Sequence, residues 1–74
     1  MTVEAYNKKI TKVSERLAQL KEQIARSAVE FNGEEHILYR WENLNNQYLK
    51  LVEERTQLMD ERLELLTEEM KREF

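Results

Sequence analysis

The chain has 74 residues with one Gly, no Pro and no Cys; 36% of it is charged, 41% is hydrophobic and its formal net charge is −3. The lack of Cys excludes a disulfide framework and thiolate-bound metals and fits a reducing compartment, and no apolar run approaches the ~18 residues of a membrane span. A breaker-poor chain rich in Glu, Leu, Lys and Arg is the composition of long helices in one small domain, and the expectation is an all-α, cytoplasmic protein without a targeting segment.

The charge is unevenly spread. Residues 1–32 carry six Lys/Arg against four Glu, whereas residues 33–74 carry six against eleven Asp/Glu. Such a dipolar chain is a poor binder of nucleic acid through overall charge, so nucleic acid is not an expected partner.

The first predicted element is a helix over about residues 3–31, with Thr2 as its N-cap. Val3, Tyr6, Ile10, Val13, Leu17, Leu20 and Ile24 alternate spacings of three and four, and Phe31 continues the series after Ser27. That is an a/d seam sustained for more than three heptads, narrow enough for one principal partner. Ala18, Ala25 and Ala28 beside it would allow close approach of another helix. The ridge Lys8, Lys12 and Arg16, with Lys9, is a candidate phosphate contact. The competing reading sets it against Glu53, Glu54, Asp60 and Glu61 across the hairpin, where opposite charges would fix register.

The one strong break is Asn32-Gly33, placing a turn at 32–33. Asn32 and Glu35 stand three apart, as in a capping box. A second helix is predicted over about 34–72, and a connection this short forces the two to lie antiparallel. The fold expected for residues 1–74 is a single antiparallel two-helix coiled-coil hairpin. With the turn centred at 32–33, facing positions add to about 65. Ile24 then meets Trp41, Leu17 meets Tyr48, Val13 meets Val52 and Tyr6 meets Met59, and the first helix is used up by about residue 62.

The second helix carries two superposed repeats. Ile37, Leu44, Leu51, Leu58 and Leu65 recur every seven residues; Trp41, Val52, Leu63 and Phe74, and likewise Tyr48, Met59 and Met70, recur every eleven. On a straight helix the two periods drift in opposite senses, so the sets start together near Trp41 and diverge toward the C-terminus. Arg55, Arg62 and Glu69 run between them. The resulting apolar surface is wider than one partner helix covers, and Leu63, Leu65, Leu66, Met70 and Phe74 extend past the first helix. A hairpin this small buries too little to be stable alone, so dimerisation into a four-helix arrangement is expected. The candidate interface comprises Leu51, Leu58, Arg62, Leu65, Leu66, Glu69, Met70 and Phe74. An antiparallel contact between two second helices, with its axis near residues 65 and 66, would set Arg62 opposite Glu69 of the other copy. Asn45 stands at the edge of the core face or in solvent, two readings equally open. Tyr39, on the face opposite Trp41, is a candidate partner contact.

Catalytic and metal-binding motifs are not found. The sequence has no phosphate-binding glycine loop, no GxSxG and no HExxH, and Gly33 stands where a Glu-x-x-His pair would need its Glu beside His36. Paired carboxylates need a cleft, and two helices provide none. No cofactor, metal or catalytic residue is assigned. In size and shape alone the chain resembles the small hairpin partners of secretion needle subunits, and its Phe31-Asn32-Gly33 turn lacks the Trp-x-Gly of short secreted hairpins. The functional expectation is a non-enzymatic interaction module, a self-associating scaffold, adaptor or inhibitor of a larger protein, of bacterial or viral accessory type. The alternative is a nucleic-acid-associated regulator using the Lys8–Arg16 ridge.

Overall fold

A computed structural model describes residues 1–30, 33 and 35–73, with the side chains of residues 37 and 73 left aside. It contains two helices, α1 (Val3–Glu30) and α2 (Glu35–Glu73), packed against each other. Their 28 and 39 residues correspond to rods of ~42 and ~58 Å at ~1.5 Å per residue. The molecule measures 61 × 15 × 14 Å, so its length is that of α2 and its thickness that of paired helices.

Local chemistry explains where the helices begin and turn. The Ala5 amide donates to Thr2 Oγ1 at 3.1 Å and the Tyr6 amide to the Thr2 carbonyl at 3.1 Å, so Thr2 caps α1 and satisfies donors that the first turn leaves orphaned. Glu4 and Glu35 lie in the first turns of their helices, and Lys71 and Arg72 in the last turn of α2, each complementing the local end of the helix dipole. Gly33 has φ +91°, a backbone conformation that a Cβ disfavours, and the chain reverses there. Asn32 and Phe31, the other residues of the expected turn, and Glu34, the expected start of α2, lie outside the described residues.

The core lies along α1. Ile10, Val13, Leu17, Leu20 and Ser27 are buried, Leu20 completely, and Val3, Tyr6 and Ile24 flank them half-buried. This is the a/d seam of the sequence, with a serine in one of its layers. Ala18, Ala25 and Ala28 are exposed. On α2 no described residue is fully buried. Trp41, Leu44, Tyr48, Leu51, Val52, Leu58 and Leu65 are half-buried, and Asn45 sits half-buried at the edge of this face.

The register differs from the simple count through the turn. Arg62 Nη1 donates to Asn7 Oδ1 at 2.8 Å, and the Tyr6 hydroxyl is hydrogen-bonded to Glu61. Asn7 and Tyr6 therefore meet residues four and two positions further along α2 than the expected pairing gives. Side chains on a helix lean toward its N-terminus. In an antiparallel pair the two leans point oppositely in space, so facing positions add to about two more than the backbone levels do. The first helix thus covers α2 to about Leu65, nearly one turn beyond the expected residue 62.

Candidate functional site

The two repeats of α2 separate as their periods require. The seven-residue set stays on α1: Leu44, Leu51, Leu58 and Leu65 are all half-buried. The eleven-residue sets leave it. Trp41, Tyr48 and Val52 are half-buried, but Met59, Leu63 and Met70 are exposed, Leu63 by 62% and Met70 by 60%. Leu66 and Leu49, the latter 52% exposed, lie on the same side. Leu49, Met59, Leu63, Leu66 and Met70, with Val52 and Thr56 in the gaps, alternate spacings of three and four without a break. They form a second heptad stripe. At about 100° per residue it runs roughly a quarter-turn around α2 from the α1-facing seam. Much of it is level with α1 rather than past its end, so what leaves these residues open is their face, not only the overhang.

The residues proposed from sequence fall into two groups. Leu51, Leu58 and Leu65 face α1 and contribute to the hairpin itself. Leu66 and Met70 belong to the open stripe, and Phe74 lies outside the described residues. Along the charged line, Arg55 and Arg62 are half-buried and Glu69 is exposed. Arg62 is engaged by Asn7 of its own chain, a cross-helix bond that periodicity could not reveal because Asn7 belongs to no repeat. Leu65 and Leu66 point to different faces, so a two-fold axis cannot bring both onto their symmetry mates. Tyr39 is 62% exposed near the turn.

The basic ridge is not tied to the acidic face of α2. Lys8, Lys9, Lys12 and Arg16 are exposed, and among the described residues the ion pair found is Arg26–Glu22, 2.8 Å, within α1. Arg16 Nη1 donates to Gln19 Oε1 at 3.4 Å. Lys8 and Lys12 line one shallow groove with Glu4, Asn7, Thr11 and Glu15, so carboxylates share that surface. Glu61, half-buried, instead accepts the Tyr6 hydroxyl. Burial of Tyr6 against α2, then the charge and hydrogen bond of Glu61, then Glu64, push its phenol above the ordinary tyrosine value.

Among the described residues no group of three or more His, Asp or Glu side chains is placed to hold a metal ion, and His36 is exposed in the first turn of α2. No described helix is long and apolar enough to cross a membrane. Between Ser27, Ala28, Leu38 and Trp41 lies an apolar dent at the turn end, none of these lining residues being titratable. The open stripe on α2 is the feature with recognisable binding chemistry. No family model, curated protein or solved structure matches the chain.

Proposed function

We propose that the chain is a non-enzymatic protein–protein interaction module, a self-associating helical hairpin that serves as scaffold, adaptor or inhibitor of a larger protein. The observation that carries this reading is the second heptad stripe of α2. A contiguous exposed apolar surface of this kind marks an interface. The area supports it: the chain exposes 6059 Å², whereas a compact monomer of 9.0 kDa exposes roughly 4,900 Å². The excess of about 1,200 Å² exceeds the ~800 Å² that one partner contributes to an ordinary specific interface.

Leu63 offers the cleanest test, because its side chain is exposed and contributes little to the hairpin. The wild-type chain should sediment as a dimer or larger at micromolar concentration. Leu63→Asp should keep its helicity at high concentration while its dissociation constant rises at least tenfold, since a carboxylate in a closed apolar layer costs several kcal/mol. A wild-type mass of one 9.0 kDa chain throughout that range would overturn self-association.

A second reading rests on the basic ridge, whose Lys8, Lys9 and Lys12 make no ion pair among the described residues. A regulator touching nucleic acid through it would show a salt-dependent gel shift lost in Lys8→Glu/Lys12→Glu. Glu4 and Glu15 on the same surface weigh against it.

A further inference from the structure

We infer that the open stripe of α2 is covered by the same stripe of a second copy, with the two α2 helices parallel and in register. This inference rests on the self-association proposed above and adds its face, direction and alignment.

The parallel in-register pairing and the antiparallel alignments of the stripe on itself differ in their layers and charges. In heptad terms Leu49, Thr56, Leu63 and Met70 are a positions and Val52, Met59 and Leu66 are d positions; Arg55 and Arg62 are g, Glu53 and Asp60 are e. In the parallel, in-register pairing every a and d residue meets its own mate, so seven successive layers close and all five exposed apolar residues are covered. The flanking g-to-e′ contacts then set Arg55 beside the second copy's Asp60, twice by symmetry, and Arg62 beside its Thr67. Like charges do not face each other.

The antiparallel alignments do worse. One sets Leu63 against Leu66 and Met59 against Met70 of the second copy, with Arg62 beside Glu69. It leaves Leu49, 52% exposed, and Val52 without a partner, and it recruits Arg62, whose guanidinium is held by Asn7 at 2.8 Å. The other slides the helices by one heptad and pairs Val52 with Met70, Thr56 with Leu66 and Met59 with Leu63, but leaves Leu49 beyond the second copy's stripe. It brings Arg62 onto the second copy's Arg62 and Asp60 onto its Asp60, two like-charge contacts at the two-fold axis that offset its two Arg55–Glu69 contacts. Repulsion of this kind is how coiled coils reject wrong registers. Arg55 is well placed for the parallel pairing: it is half-buried at the margin between the two seams and makes no hydrogen bond or ion pair among the described residues.

The chain has no Cys, so single cysteines report proximity without background. Leu49→Cys and Met70→Cys stand at opposite ends of the stripe. In the parallel register each meets its own mate, whereas in either antiparallel register the two Leu49 positions are separated by roughly 35 Å or more at ~1.5 Å per residue. Under mild oxidation both single variants should form disulfide dimers at least tenfold faster than Gln57→Cys, which is exposed on another face. Asp60→Arg should raise the dimer dissociation constant several-fold, and adding Arg55→Asp should recover most of the loss. Dimers by sedimentation in which Leu49→Cys reacts no faster than Gln57→Cys would overturn the parallel register while sparing self-association. Rapid mixed disulfides between Leu63→Cys and Leu66→Cys chains would then identify the antiparallel one. A monomeric wild-type chain would overturn both and leave the stripe to a foreign helix.

Discussion

Single residues in this molecule act mainly by permitting or coupling the two helices. Gly33 reverses the chain at φ +91°, and a Cβ built there would meet nothing within 4 Å. The cost of replacing it is therefore one of backbone conformation alone, about 1 kcal/mol or more for Gly33→Ala. In urea melts Gly33→Ala should lose that much while Gly33→Asn, which tolerates positive φ better, loses less. Equal stability of all three chains would mean that the reversal does not depend on this backbone geometry. Tyr6 couples the helices through Glu61, and its phenol is raised in the folded state by burial and by that carboxylate. A raised acid pKa means the unfolded chain releases the proton first. The stabilisation is complete below the ordinary tyrosine value of 10.0 and is lost as pH rises past it and through the folded-state value. Stability should thus fall with alkaline pH more steeply in the wild type than in Tyr6→Phe, with tyrosinate absorbance marking the transition. Identical alkaline limbs would remove Tyr6 from the coupling.

Each helix was legible in the sequence to a different degree, and the difference is physical. For α1 the single 3–4 periodicity found the buried side chains, including the layer at Ser27, because one stripe serves one partner. The Thr2 cap was also readable, since capping depends on local chemistry. For α2 the two repeats showed correctly that an apolar flank departs from the α1-facing seam. They did not show that Leu49 joins it, because that residue belongs to neither the seven- nor the eleven-residue series; Leu66, also outside both series, was legible from its place past the end of α1. Register was misjudged by two to four residues, and about two of these come from treating side chains as if they stood square to the helix axis. Their lean toward each N-terminus is what carries Tyr6 to Glu61 and Asn7 to Arg62. The expected ion pairs between the Lys8–Arg16 ridge and α2 are not formed among the described residues. Long exposed cations gain little by fixing themselves in one pair, so charge pattern alone is weak evidence of contact.

For the whole molecule the decisive quantity is how little the hairpin buries. Among the described residues the buried apolar ones, Ile10, Val13, Leu17 and Leu20, all lie on α1, and α2 contributes half-buried side chains against them. A chain of this size with one shared seam sits near the margin of stability, where a few kcal/mol from a second interface decides whether it is folded. Under the self-association proposed above, folding and association are linked, and binding that occurs only in the folded state raises apparent stability by mass action. The melting temperature of the wild type should climb as total concentration is raised from low micromolar to hundreds of micromolar. Leu63→Asp, which changes a side chain that the hairpin itself leaves exposed, should melt lower, and its melting temperature should begin to climb only at concentrations at least tenfold higher than for the wild type. Leu20→Ala should lower the melt of both chains alike, because Leu20 is fully buried within the single hairpin and a large-to-small change there costs about 2–5 kcal/mol. A wild-type melt independent of concentration, with Leu63→Asp indistinguishable from it, would show that the α1 seam suffices to hold the fold and that the open stripe contributes nothing between copies of the chain.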